Sequence, residues 1–128
     1  MASSAGLHEP AESMSPQVID RHRAIVSIQE ELEAVDWYDQ RAAATDDASL
    51  AAILAHNRDE EKEHAMMVLE WLRRHDPVLD GHMRTYLFTE APITEIETIT
   101  ERGDAAGEAS GSGPGDLGIG NQHNEPER

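Results

Sequence analysis

The sequence predicts an all-α protein: an antiparallel hairpin of two long helices, then a short third helix, with a four-helix arrangement completed only by dimerisation. Two observations lead to this fold. Neither glycine nor proline interrupts residues 17–76, a stretch long enough for two helices joined by a tight turn. Apolar residues recur along both halves of that stretch at helical spacing, so each helix has a face to bury.

Local sequence signals mark where these helices begin and end. Ser15 can cap free backbone N–H groups, and Pro16 is tolerated at the first helical position. Residues 45–47, Thr-Asp-Asp, supply the turn, and Asp76-Pro77 stops the second helix after His75. Each long helix would contain about 28 residues and span roughly 40 Å. The short connection makes the pair antiparallel.

A shorter third helix is predicted over residues 77–88, with Pro92 ending anything before it. After residue 97 glycine, serine and acidic residues become frequent, which predicts a segment unable to bury a core. The expected organisation is a flexible N-terminal segment, a helical domain, a disordered acidic Gly-rich linker, a short apolar interruption and a tail, at residues 1–14, 15–97, 98–116, 117–122 and 123–128.

Composition excludes several classes of function. The formal net charge of −16 opposes binding to nucleic acid or anionic membranes and suits attraction of metal cations. With no cysteine, thiolate catalysis and cysteine-ligated metal sites are excluded. The N-terminus predicts no secretory signal, and no apolar run approaches the roughly 20 residues of a membrane span. We therefore expect a cytoplasmic protein.

The apolar faces of the two helices are too large for a hairpin to bury. A second copy is the expected way to complete the core. The residues concerned are Ile25, Ile28, Leu32 and Val35 in the first helix, and Leu50, Leu54, Ala65, Val68 and Leu72 in the second.

Glu61 and His64 are the first candidate metal ligands. They form a Glu-x-x-His pattern, whose spacing puts both side chains on one helix face, one turn apart. Ferritin-like di-iron proteins use this half-motif together with a glutamate from a neighbouring helix. On a helical wheel Glu61 falls about 20° from Leu54, inside the apolar face. Glu60 and Glu63 point toward the polar side.

The first helix repeats this arrangement. Glu31 lies at the margin of its apolar face, with Tyr38 on the same edge, whereas Glu30 and Glu33 point outward. A buried carboxylate needs a partner. One alternative is an ion pair between Glu61 and an arginine such as Arg58, three residues earlier.

The other alternative is a metal site built from Glu31, Glu61 and His64. These donors suit Fe(II), Mn(II) and, less well, Zn(II). Two subunits facing each other would supply four carboxylates and two imidazoles, the set of a di-iron carboxylate centre.

Three segments resemble the helices of encapsulated ferritins. They are HRAIVSIQEELEAVDWY at residues 22–38, AHNRDEEKEHA at residues 55–65 and RTYLFTE at residues 84–90. The resemblance covers roughly residues 7–97. It implies a ferritin-like subunit that dimerises to form a ferroxidase centre and assembles into a decamer.

The resemblance also implies a role for individual residues. Glu31, Glu61 and His64 would be the iron ligands, with Tyr38 behind them and Trp37 nearby. The outward Glu30 and Glu33 would form a metal access site. A secondary surface cation site would use His56, Glu60 and Glu63.

In the tail, Leu117-Gly118-Ile119-Gly120 resembles the targeting peptide that docks cargo inside encapsulin shells. The resemblance thus implies an iron-oxidising enzyme that uses O₂ and works inside an encapsulin nanocompartment, where the iron mineral is stored. Two other hypotheses stay open: a non-catalytic helical interaction module, and a related di-metal oxidase or peroxidase.

Overall fold

The structure, a computed structural model, describes residues 6–110, with side chains described for residues 6–103. Four α-helices and one short 3₁₀ turn make up this part of the chain, which contains no strand. The helices are α1 (Pro16–Ala44), α2 (Ala48–Arg74), α3 (Pro77–Tyr86) and α4 (Ile93–Ser110). The predicted all-α fold class is confirmed. No helix among the described residues is long and apolar enough to cross a membrane.

The long helices begin where their capping residues predict. The Ser15 side chain accepts a hydrogen bond from the Val18 N–H at 3.3 Å, and Pro16 opens α1. Asp47 caps α2 by accepting from the Leu50 N–H at 2.9 Å. Each cap satisfies a backbone donor that the first helical turn leaves free.

The chain divides into two compact units, Met1–Asp76 and Pro77–Arg128, where the sequence predicted a single domain over residues 15–97. The first unit is the α1–α2 hairpin. It is preceded by the 3₁₀ turn Ala11–Ser13, within the segment expected to be flexible. In that turn the Ser13 N–H donates to the Pro10 carbonyl at 2.9 Å.

In the second unit, α3 ends two residues before the predicted boundary. The Leu87 N–H still donates to the Met83 carbonyl at 2.9 Å, but Phe88 adopts a φ of 63°. This left-handed conformation ends many helices, and it strains a bulky residue. The Phe88 side chain is 90% exposed, so packing does not compensate for that strain.

The predicted disordered linker over residues 98–116 is wrong for residues 98–110, which belong to α4. Pro92 starts this helix rather than ending one, since its carbonyl accepts from the N–H groups of Glu95 and Ile96 at 3.0 and 3.1 Å. Only Gly103 and Gly107 weaken α4, and three alanines favour it. Residues 111–116, the candidate targeting peptide at 117–122 and the tail at 123–128 lie outside the described residues.

Close packing of α1 and α2 depends on small side chains. Ala65 of α2 is completely buried, and Ala24 of α1 is 7% exposed. Larger apolar residues stay uncovered within one copy: Ile25 is 45% exposed and Leu32 is 51% exposed. The hairpin therefore buries only part of its apolar surface, as the sequence predicted.

Replacing Ala65 with leucine should destabilise the hairpin, because the added atoms have no space between the helices. We expect Ala65→Leu to lower the free energy of unfolding by about 1–3 kcal/mol, measured by urea denaturation at fixed protein concentration. Ala52→Leu adds the same atoms at an exposed position of α2 and should change it by less than about 0.5 kcal/mol. Equal losses in both variants would contradict the close approach at Ala65.

Candidate metal centre

Facing positions on α1 and α2 bring two glutamates together. Glu31 lies in the middle of α1 and Glu61 in the middle of α2, and both are half-buried. Ala65, one turn after Glu61, lets the two backbones approach closely. The carboxylates therefore lie in the layer between the helices, while Glu30 and Glu63 are exposed, as the helical wheel predicted.

His64 completes a cluster with these two carboxylates. Its Nδ1 atom lies 3.3 Å from Oε1 of Glu61 and 3.7 Å from Oε1 of Glu31. One ligand atom from each of Glu31, Glu61 and His64 lies within 4.8 Å of the other two. Across the described residues, this Glu–Glu–His cluster is the one group of three such side chains close enough to hold a metal ion.

The two carboxyl groups affect each other's protonation. A hydrogen bond to Glu61, followed by partial burial, raises the pKa of Glu31. The same hydrogen bond, together with one to His64, lowers the pKa of Glu61. The pKa of His64 is raised, first by its hydrogen bond to Glu61 and then by the charge of Glu31. Of the two carboxyl groups, Glu31 is therefore the one that takes up a proton first as the pH falls, and a proton there would compete with a metal ion.

The two permanent cations that are nearest to Glu61 in the sequence, Arg58 and Lys62, are paired with other residues. The Arg58 guanidinium donates to Asp39 at 2.9 Å and to Asp59 at 3.0 Å. Lys62 pairs with Asp59 at 3.2 Å. The alternative ion pair between Arg58 and Glu61 is therefore wrong in this structure, because two aspartates take the guanidinium instead.

The chemistry of the cluster fits a first-row divalent metal. Two carboxylates and one imidazole are oxygen and nitrogen donors of the kind that Fe(II) and Mn(II) accept. The two carboxylates are half-buried, which excludes part of the water that would compete for the metal ion. One chain offers three protein donors, fewer than a pair of such ions needs.

The outer acidic residues make no second cluster of this kind. Glu30 and Glu33, the predicted access site, are exposed on α1. In the predicted secondary site, His56 Nε2 lies 3.8 Å from Glu60, whereas Glu63 joins no described ion pair. Glu60 also lies 3.9 Å from Nε2 of His64. It therefore reaches the imidazole edge opposite the carboxylate pair, a contact that the sequence did not predict.

Trp37 and Tyr38 contact an arginine rather than the cluster. The Arg41 guanidinium lies 6.0 Å from the Trp37 ring centre and 5.7 Å from that of Tyr38, which are cation–π distances. Tyr38 is half-buried two turns after Glu31, and Trp37 is 48% exposed. Among the described side chains, neither ring hydrogen-bonds to a residue of the cluster.

Sequence reasoning missed the aspartates that hold Arg58. Asp39 acts across the hairpin, 19 positions from Arg58, and a wheel of one helix does not relate the two residues. The available signal was the position of Asp39 beside Tyr38, on the edge of α1 that turns toward α2. Asp59, next to Arg58 in the chain, reads as an ordinary solvated acid.

Replacing Glu31 with glutamine should stabilise the metal-free protein at alkaline pH. The folded state holds the Glu31 proton more tightly than the unfolded chain does, so the wild-type protein loses stability as the pH rises through the raised pKa. We expect Glu31→Gln to melt at a higher temperature than wild type at about pH 8, with the difference vanishing near pH ~4.

Glu33→Gln is the matched control, since it removes the same charge from an exposed position on the same helix. Its melting temperature should follow that of the wild-type protein at both pH values. A lower melting temperature for Glu31→Gln than for Glu33→Gln at the higher pH would contradict the repulsion between Glu31 and Glu61.

Comparison with known proteins identifies the family of the chain. The family described as EncFtn-like matches residues 6–90. The chain is 59% identical to the encapsulated ferritin-like protein of Rhodospirillum rubrum over 128 residues, which covers 96% of this chain and 91% of that protein. It is 53% identical to a ferritin-like protein of Thermotoga maritima over 112 residues, covering 88% and 93% of the two chains.

Two further comparisons cover less of the chain. The encapsulin nanocompartment cargo protein EncC of Myxococcus xanthus is 39% identical over 59 residues, 46% of this chain and 45% of that protein. A crystal structure of a Nitrosomonas europaea protein is 59% identical and superposes with a TM-score of 0.67, covering 69% of this chain and 97% of that one. Sequence, fold and ligand geometry lead to one assignment: the chain belongs to the EncFtn-like family of encapsulated ferritin-like proteins.

Proposed function

We propose that this protein is a ferroxidase, which oxidises Fe(II) to Fe(III) with O₂ at a di-iron centre shared by two subunits. The observation that carries the proposal is the Glu–Glu–His cluster, whose ligand atoms lie within 4.8 Å of one another. Iron is the substrate as well as the bound metal. Membership of a ferritin-like family supports this choice among the metals that such donors accept.

A second subunit is needed for the centre to hold two ions. One copy contributes two carboxylates and one imidazole, and a twofold axis doubles the set to four and two. The exposed apolar residues of the hairpin support the same arrangement, because Ile25, Leu32 and Ile53 are each about half exposed within one copy. Association would bury them and complete both the core and the site. Further assembly into a decamer is part of the proposal.

The residues of the cluster have distinct tasks. Glu31 and Glu61 would bind Fe(II) and compensate its charge. His64 binds through Nδ1, the ring nitrogen that faces both carboxylates, and its Nε2–H is directed toward Glu60 at 3.9 Å. Two Fe(II) ions supply two electrons, which with two protons reduce one O₂ to hydrogen peroxide. Four Fe(II) ions supply the four electrons that, with four protons, reduce one O₂ to two water molecules.

The ferric product would accumulate outside the subunit. Two helices packed side by side have no interior of their own for a mineral, so a surrounding shell is required. The names of the Rhodospirillum rubrum and Myxococcus xanthus relatives refer to encapsulation and to encapsulin cargo. We propose that this chain is likewise cargo of an encapsulin nanocompartment in the cytoplasm, docked through Leu117-Gly118-Ile119-Gly120, which lies outside the described residues.

Replacing Glu61 with alanine should abolish rapid Fe(II) oxidation, because it removes the carboxylate that contacts both Glu31 and His64. We expect the initial rate, followed by ferric absorbance after mixing with air-saturated buffer, to fall by at least about 100-fold. Asp20→Ala removes an exposed acid elsewhere on the hairpin and should keep the wild-type rate. An unchanged initial rate in Glu61→Ala would rule out the assignment.

Anaerobic metal binding separates the ferroxidase from a non-catalytic interaction module. We expect Fe(II), added without oxygen, to bind at about one ion per subunit and to tighten subunit association, both followed by native mass spectrometry. Mn(II) added in air tests the di-metal oxidase alternative, which predicts oxygen consumption at a rate comparable to that with Fe(II). Metal binding no stronger than in Glu61→Ala would favour the module.

A further inference from the structure

Two cations flank Glu61 on α2, and both are already paired. Arg58 precedes it by three residues and Lys62 follows it directly, and no other lysine or arginine lies within four positions. Arg58 makes two ion pairs, one with Asp39 of α1 and one with Asp59 of α2. Lys62 makes its ion pair with Asp59. Among the described residues, no ion pair or hydrogen bond joins either cation to the Glu–Glu–His cluster.

Without these aspartates, the Arg58 guanidinium would form an ion pair with the Glu61 carboxylate and compete with a metal ion for it. Residues three apart on a helix are neighbours, so the guanidinium and the Glu61 carboxylate share a face. Their side chains are equally sheltered, at 25% and 24% exposure. A guanidinium binds a carboxylate through two parallel hydrogen bonds, which would occupy the lone pairs that a metal ion needs.

The geometry of the existing pairs prevents this. The Nε–H of Arg58 donates to Asp59 Oδ1 at 3.0 Å, while its Nη1 group donates to Asp39 Oδ1 at 2.9 Å. These bonds turn the planar guanidinium toward the two aspartates, and they raise the pKa of Arg58 further. Asp59 holds the Lys62 ammonium with the same oxygen, at 3.2 Å.

We propose that Asp39 and Asp59 are positioning residues that hold Arg58 and Lys62 away from Glu61, so that the Glu–Glu–His cluster stays available to a metal cation. This inference rests on the proposed metal centre and goes beyond it by assigning a role to residues that touch no metal. It also explains how the Glu31–Glu61 pair lies next to two permanent cations without forming an ion pair with either of them.

The same ion pairs can be broken by removing the aspartates or by removing the cations, and the proposal predicts different effects of the two changes on metal binding. Removing the aspartates releases two cations beside Glu61, and metal binding should weaken. Removing the cations breaks the same bonds but leaves nothing to compete, so metal binding should stay the same or become stronger. If the ion pairs only tied α1 to α2, both changes would weaken binding alike.

The test is an anaerobic calorimetric titration of the full-length protein with Fe(II). Asp39→Ala/Asp59→Ala should raise the dissociation constant about fivefold, because a released Arg58 guanidinium would compete with the metal ion for Glu61. Arg58→Gln/Lys62→Gln should bind Fe(II) at least as tightly as wild type. Asp20→Ala/Asp36→Ala, which removes two exposed helical aspartates with partners Arg23 and Gln40, is the charge-matched control and should stay within about twofold.

Each outcome bears on the proposal. Equal weakening in the aspartate and cation variants would overturn it in favour of a structural tie, and an unchanged aspartate variant would overturn it as well. If the double aspartate variant does not fold, as judged by circular dichroism, Asp39→Ala alone should show a smaller loss in the same direction. Absence of Fe(II) binding by wild type would overturn the metal centre itself, whereas binding without oxidation in air would overturn only the ferroxidase activity.

Discussion

The contact between Glu31 and Glu61 is the constraint on which the rest of this structure depends. Two carboxylates face each other in the layer between packed helices, and a half-exposed imidazole is their nearest potential counter-charge. Helix packing around Ala24 and Ala65 holds them there against their repulsion. That repulsion adds to the hydrogen bond with Glu61 and to partial burial in raising the pKa of Glu31. A divalent cation bound between the two carboxylates would remove their repulsion. Metal binding would therefore stabilise the folded protein.

A single hairpin leaves both its apolar core and its candidate metal site incomplete. Apolar side chains such as Leu32, Ile53 and Met67 are 51–65% exposed, more than a stable two-helix unit would leave uncovered. Its candidate metal ligands are also half of the set that a di-iron centre uses. In our proposal, a second copy supplies the missing core and the missing ligands together. Subunit association and metal affinity would then be linked, each strengthening the other by mass action.

The sequence predicted most of the hairpin because its signals are local. Ser15 and Asp47 cap the helices they precede, and the spacing of Glu61 and His64 already implied a shared face. The wheel also separated Glu31 and Glu61 from their exposed neighbours. Two features were not predictable this way. Helix α4 was obscured by the glycine-rich composition that follows it, and Pro92 was read as a stop although it acts as a start. The Asp39–Arg58 pair joins different helices, so no single-helix periodicity reveals it.

The most direct test of the central claim is the location of iron in crystals of the full-length protein loaded anaerobically with Fe(II), measured by anomalous diffraction at the iron edge. The account predicts two iron positions across a twofold axis, with Glu31, Glu61 and His64 from both copies as ligands. Iron held by the residues of one chain alone, or found only at outer acids such as Glu30 and Glu33, would contradict it.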